Sequence, residues 1–566
     1  MKNVFARSFF FVFVLLAAEF IHAQTSGCES GEHAVGTKVV TTEISNPFIW
    51  ADYPDPDIIR VGDYYYLVTT TMHLFPGGPV MRSRDLQNWE TVSYLFDEIK
   101  DTPRYDLSQG TVYGRGQWAT SLRYHKGTFW ALFVANDDPH KSMVFKSSDP
   151  AKGWTLHSRL PAYHDSSLFF DDDDRVYVFS GSGNIRLVEL TSDLKAEKVD
   201  GVNKVLELRG RPDGLHEGSR VIKHDGMYYL LCISWPSTGR QEICYRSRNI
   251  KGPYESKVIL KSDFGGFPLA GQGTIVDGKH GEWYGVMFQD RGGVGRVLTL
   301  EPCSWIDGWP MLGNLSDGRI PQTMAVETFG DAHLGDDRMV LATGVSLTKD
   351  YQWNHNVVAD AVSVVDRDGN SISPLRVTPG STLTLRAVDA GDAGSPDSVG
   401  PSVFSARNTL TWRTWGGICS DTICLDVSRM RDGDHAGLSA FNGDAGCLSV
   451  VKEGKKSFLV LTEENVSLSG DKKAITDVRK KEVACVALPA SRLKDVRLAM
   501  SGDFNAGHGD VAHFFYSLDH GKSWNAIGGE YKMVFDFMRL FMGTRYAAFY
   551  YPTKQPGGKV VLRLGQ

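Results

Sequence analysis

Short apolar runs recur through the first half of the chain, each opened by a turn residue and dense in aromatics. Gly62-Asp63-Tyr64-Tyr65-Tyr66-Leu67-Val68 is echoed by Gly127-Thr128-Phe129-Trp130-Ala131-Leu132-Phe133 and by Asp174-Arg175-Val176-Tyr177-Val178-Phe179. Two more copies follow, Gly226-Met227-Tyr228-Tyr229-Leu230-Leu231 and Gly281-Glu282-Trp283-Tyr284-Gly285-Val286-Met287. A period of roughly fifty to sixty residues, each unit a hairpin unable to bury both of its faces alone, predicts a propeller or solenoid. Five units of this size suit a five-bladed β-propeller of four-stranded blades. Turn clusters such as Phe75-Pro76-Gly77-Gly78 and Gly292-Gly293 separate the short runs, and long helical periodicity is absent between them. The alternative is a tandem of β-sandwiches with chance aromatic echoes, and either reading is all-β.

After Asp307-Gly308-Trp309-Pro310 the echoes stop, and Gly313–Asp337 is rich in Gly, Asp and Ser with little periodicity. From about Val345 strand-like runs return, among them Thr382-Leu383-Thr384-Leu385-Arg386 and Lys559-Val560-Val561-Leu562-Arg563. The pattern predicts a propeller over 40–315, a linker over 316–344 and a second all-β domain, a sandwich, over 345–566.

Ahead of all this, Lys2 and Arg7 precede the apolar run Phe9–Ala18 and the small-residue site Ile21-His22-Ala23, which reads as a signal peptide over 1–23. Export to periplasm or medium is the expectation. Thr25 stands where a lipobox has leucine, so Cys28 is read as unlipidated, and no later segment approaches a membrane span. The formal charge of −6 is small for 566 residues and no basic run tracks a phosphate backbone, which argues against nucleic acid as a partner. The remaining cysteines are too sparse for a disulfide framework and none pairs with histidine at zinc spacing, although Cys419 and Cys424 are close enough in sequence for one local bridge.

Carboxylates dominate the polar candidates. In Tyr53-Pro54-Asp55-Pro56-Asp57 two prolines bracket Asp55 and fix the loop just before the first aromatic strand, an arrangement that suits a general base and equally suits an ordinary turn. His216-Glu217-Gly218 holds the matching place in a later blade, and Asp165, in Tyr163-His164-Asp165-Ser166-Ser167, in the blade before it. Innermost strands of a propeller converge on its axis, so Asp55 and Glu217 can face one another across a pocket as glycoside hydrolysis requires, with Asp165 raising the pKa of the acid. Glu217 is a surface-loop acid if the blade pattern is discounted. Asp171-Asp172-Asp173-Asp174 looks like a calcium loop but lacks spaced ligands and a closing glutamate, so neither metal nor other cofactor is expected. Trp50, Phe75, Trp118 and Trp309 are candidates for a sugar-stacking rim, Trp118 and Phe75 the best placed.

These motifs together resemble glycoside hydrolase family 43, the β-xylosidases and α-L-arabinofuranosidases. The resemblance runs from Asn46-Pro47 and the Tyr53–Asp57 segment through Ser83-Arg84-Asp85-Leu86-Gln87-Asn88-Trp89, Gly116-Gln117-Trp118-Ala119, Asp165-Ser166-Ser167-Leu168-Phe169, His216-Glu217-Gly218 and Gly295-Arg296 to Trp305–Pro310. It continues in Gln352-Trp353-Asn354-His355-Asn356, Asp432–Leu438 and Phe541-Met542-Gly543-Thr544-Arg545, which are similar to the accessory jelly-roll, concanavalin A-like sandwich of the xylosidase type. It implies an inverting, exo-acting hydrolase of plant cell-wall polysaccharide or its oligosaccharides, with Asp55 as general base, Glu217 as general acid, Asp165 as pKa modulator and Arg296 as a sugar contact. Thr120 departs from the family's usual proline, and Gln272 stands where many members carry an axial histidine. The reading from another class is a carbohydrate-binding protein that has lost catalysis.

Overall fold

The computed structural model describes residues 40–565 except 138, 329–337, 390–399, 471–473 and 538. The expected signal peptide and Cys28 lie outside them. No helix among the described residues is long and apolar enough to cross a membrane.

The aromatic runs are second strands of five antiparallel sheets, and their near-continuous burial explains why they read as unbroken apolar stretches. Met227–Trp235, for instance, is buried along all but its first and last residues because neighbouring sheets cover both of its faces. The first strands of the five sheets are Asp57–Val61, Ser121–His125, Ser167–Phe170, Leu215–His224 and Gly273–Asp277. They contact one another in that order and the last contacts the first, so the five blades close around an axis as a five-bladed β-propeller. An ion pair between Arg60 and Asp277 joins the first blade to the fifth.

Two of the sequence expectations need correcting here. Within 316–344, read as a linker, Thr323–Thr328 pairs with Val40–Ser45, and Arg338–Val340 pairs with Ser346–Thr348, which lies parallel to the outer strand of the first blade. Cys419 and Cys424 are both free, and they sit on the single strand Ile418–Asp426, whose extension places them about 17 Å apart, beyond disulfide reach. The acidic run is bound up with basic and phenolic groups: Asp171 accepts from Lys223 and from the Tyr228 hydroxyl at 2.7 Å each, Asp173 pairs with Arg175 and Asp174 with Lys126.

The second domain stacks two eight-stranded antiparallel sheets around a core that includes Trp353, Trp412, Leu438, Leu448, Met500 and Tyr546. One edge is completed by the propeller, because Leu74–Phe75 pairs with Gln352–Asn354. The two domains therefore share a sheet as well as a surface, which fixes where the sandwich's loops fall over the propeller mouth.

Candidate active site

At one end of the axis, backbone in the left-handed region recurs just ahead of, or at the start of, the innermost strands. Asp55 (φ 55°), Asp165 (φ 44°), Gly218 (φ 74°) and Gln272 (φ 65°) mark blades one, three, four and five. Glycine adopts this conformation freely and aspartate tolerates it better than most residues, so only the three non-glycine turns carry a cost, on the order of 1–3 kcal/mol each, that the fold must offset. The bends in blades one and three bring the carboxyls of Asp55 and Asp165 close enough for the charge of one to act on the other, and in blade one the bend is the structural content of the Pro-Asp-Pro signal.

Asp55 is 7% exposed and held on both oxygens: Thr70 donates to Oδ2 at 2.7 Å and Arg296 Nη1 to Oδ1 at 2.9 Å. Asp57, two residues on, is wholly buried and is a structural acid, accepting from Arg123 Nη1 at 2.7 Å and from the Leu122 amide at 2.8 Å. Alternation along the strand sends the two aspartates to different partners. Asp165 is 6% exposed and its carboxyl accepts from Gln272 Nε2 at 3.4 Å. Burial, helped by the charges of Glu217 and Asp55, raises Asp165 to about 6 against the pull of His164.

Glu217 carries the most consequential contact. His164 Nε2 lies 3.1 Å from its Oε2 and 3.8 Å from Asp165 Oδ1. Burial works against a charge on His164, yet Asp165 and the hydrogen bond to Glu217 outweigh it and raise the imidazole to about 9. Burial likewise pushes Glu217 up, but the His164 hydrogen bond and charge bring it below the ordinary glutamate value. His164 thus holds a proton more firmly than Glu217 does. Donor atoms of His164, Asp165 and Glu217 lie within 4.8 Å of one another, close enough to hold a cation, although a protonated His164 competes for the same lone pairs. His216, by contrast, is a core residue: its ring meets Tyr245 edge-on at 5.3 Å, and burial lowers it to about 4, so it stays neutral.

Under these acids sits Arg220, fully buried. It donates to the main-chain carbonyls of Ser219 (2.8 Å), Thr120 (3.2 Å), Asp55 (3.4 Å) and Ser166 (3.4 Å), so one guanidinium ties together the loops of the first four blades. The fifth is tied through Gln272, whose amide donates to Glu242 at 2.8 Å.

The wall beside Arg296 and Trp118 is built partly by the second domain. Phe541 (φ 59°) places its ring 4.3 Å from the Arg296 guanidinium carbon and 5.8 Å from the Trp118 ring, and its carbonyl accepts from Arg296 Nη2 at 3.2 Å. The loop is pinned by Asp52, whose oxygens accept from the Arg296 amide at 2.8 Å and the Gly543 amide at 2.9 Å. Only glycine fits at 543, since a Cβ there would lie 2.2 Å from the Val294 carbonyl oxygen.

Asp55, Asp165, Glu217, Arg296, Trp118 and Gln272 therefore converge. Phe75 does not: it is fully buried, packed against Tyr105 at 5.6 Å and Phe96 at 6.0 Å, because its strand is the one that pairs with the sandwich. Trp50 and Trp309 lie under the guanidinium groups of Arg291 and Arg246, at 5.1 and 4.1 Å. Sequence reasoning missed His164, Arg220 and Phe541. The first had a visible signal, a titratable residue directly before Asp165, and the others act through the tertiary fold alone.

Comparison with known proteins bears on the same site. Residues 44–310 match the model for glycosyl hydrolases family 43, and residues 344–561 match the beta xylosidase C-terminal concanavalin A-like domain. A putative beta-xylosidase of Xylanibacter ruminicola is 32% identical over 399 residues, 68% of this chain and 69% of that protein. A beta-xylosidase of Formosa agariphila is 27% identical over 505 residues, 81% of this chain and 82% of its own. A non-reducing end alpha-L-arabinofuranosidase of Bacteroides ovatus is 29% identical over 298 residues, covering 49% and 54%. Among solved structures, the bifunctional GH43-CE protein of Bacteroides eggerthii superposes with a TM-score of 0.76 at 34% identity, over 93% of this chain and 64% of that one.

Proposed function

The chain belongs to glycosyl hydrolases family 43 and is a glycosidase; from that premise we propose an inverting, exo-acting enzyme that releases terminal β-D-xylosyl or α-L-arabinofuranosyl units from xylan, arabinoxylan or their oligosaccharides. The observation that carries the proposal is the convergence of Asp55, Asp165 and Glu217 on one axial mouth closed on one side by Phe541. A wall contributed by a second domain blocks passage of a polymer through the site and favours attack on chain ends.

In this reading Asp55 removes a proton from a water, whose oxygen attacks the anomeric carbon from the face opposite the leaving group. Glu217 gives a proton to the glycosidic oxygen as the carbon–oxygen bond breaks, so one proton is taken up by Asp55 and one is released by Glu217. Inversion demands room for the water, with carboxyls roughly 6.5–9.5 Å apart. Arg296, bonded to Asp55, orients the base and reaches the sugar; Asp165 favours the protonated form of Glu217 by like charge. The catalytic unit is assigned to 40–315 and the accessory sandwich to 345–566. The apolar segment behind Lys2 and Arg7 supports export to periplasm or medium, where cell-wall glycans are met.

Release of aglycone from aryl β-D-xyloside and aryl α-L-arabinofuranoside, with Glu217→Ala as control, tests the reading. Activity on one or both that disappears in the variant is expected. Tight glycan binding without turnover in the unaltered protein would favour a binding protein instead.

A further inference from the structure

Beyond Glu217, towards the mouth, the fourth blade ends in an open apolar patch. Glu217 pairs with Ile233, and the next pair on the same face, with no register shift between them, is Leu215 with Trp235. Two residues of extended chain place that pair about 7 Å outside the Glu217–Ile233 pair. Leu215 is 39% and Trp235 47% exposed, and no other tryptophan of the propeller is as open.

The Trp235 ring is not loose. Arg240, itself 5% exposed, sets its guanidinium carbon 4.3 Å from the ring centroid and is locked by an ion pair to Asp290 of the fifth blade. Gly214 fixes the backbone, since a Cβ there would lie 2.3 Å from the Trp235 carbonyl oxygen. One face of the indole is thus covered by a fixed cation, while the residue as a whole stays about half exposed. A half-exposed aromatic held rigidly beside a polar pocket costs little entropy to use and gains by covering an apolar ring face.

The general acid touches the glycosidic oxygen, so whatever departs leaves along the outer side of Glu217. We propose that Trp235, backed by Arg240 and flanked by Leu215, is the platform for the leaving-group sugar, and that it selects a pyranose ring there, such as a xylose unit, whose C–H face has no hydroxymethyl group to obstruct stacking. The inference rests on the hydrolase reading above and sharpens it: the substrate is an oligosaccharide or polymer end rather than a small glycoside.

Kinetics on two substrates of the preferred terminal sugar separate the possibilities: a xylo- or arabinoxylo-oligosaccharide, and the corresponding glycosyl fluoride, whose leaving group is a single atom. Trp235→Ala is expected to lower kcat/KM about tenfold on the oligosaccharide, mainly through KM, and to leave the fluoride within about twofold; Trp235→Phe is expected to keep most of the activity. Equal losses on both substrates would reduce Trp235 to a support for Glu217 and overturn the proposal, as would an unchanged oligosaccharide. Should the unaltered protein hydrolyse neither, the hydrolase reading falls, and titration of tryptophan fluorescence with xylotriose still decides the platform. Binding weakened by Trp235→Ala upholds it; undiminished binding overturns it.

Discussion

Replacing His164 with glutamine tests how the general acid is held. The imidazole lies 3.1 Å from Glu217 and is raised from 6.5 to about 9, a shift worth about 3 kcal/mol in favour of the imidazolium at 1.36 kcal/mol per unit. Asp165, Glu217 and Asp55 share that interaction, and the His164 side chain is 32% exposed, so solvent screening leaves on the order of 1 kcal/mol for Glu217, roughly fivefold in its protonated fraction. The sign follows from the raised imidazole: it stays charged until pH rises through about 9, and below that its charge opposes the protonation of Glu217 that burial favours. Glutamine removes the charge while burial continues to push Glu217 up. The alkaline limb of the kcat/KM profile, which reports protonated Glu217 in the free enzyme, should move to higher pH. The position of the limb is the readout, because lost contacts to substrate lower the whole curve without moving it. A limb that stays put, or moves to lower pH, would refute this account of the His164–Glu217 pair.

Two further perturbations probe the second domain and the propeller core. Gly543→Ala forces a Cβ to within 2.2 Å of the Val294 carbonyl oxygen and 3.0 Å of Asp52 Cβ, so the loop carrying Phe541 shifts and kcat/KM is expected to fall about 100-fold, together with a loss of about 1–3 kcal/mol of stability seen as a lower melting temperature. Glu301 is fully buried and burial raises it to about 8, so the folded state holds a proton that the unfolded chain has lost above about 4.5, and stability falls as pH rises from about 4.5 to 8. Glu301→Gln should flatten that slope and stabilise the protein at pH 7 by on the order of 2–3 kcal/mol, seen in denaturant melts at several pH values.

How much of this was legible in the sequence depends on how local the signal is. Aromatic runs such as Met227–Trp235 announced the blades because strands buried on both faces need unbroken apolar stretches. The bend at Asp55 showed in the two prolines that bracket it, whereas the pairing of Asp57 with Arg123 of the next blade is a tertiary contact that no local pattern encodes. Phe75 was read as a rim residue because it stands next to Pro-Gly-Gly. Its burial follows from pairing with Trp353, some 278 positions away, which no local pattern encodes. Arg220 and Phe541 are invisible for the same reason, one acting through carbonyls of four blades and the other reaching across from the sandwich.

The central claim is that Asp55 and Glu217 act as a base and acid on opposite faces of the sugar. Proton NMR of the first-formed product from a β-xyloside, or from an α-L-arabinofuranoside if that is the sugar preferred, tests it before mutarotation blurs the anomers. The account predicts the inverted anomer at early times, and none from Asp55→Asn; a first product that retains the substrate's configuration would contradict it.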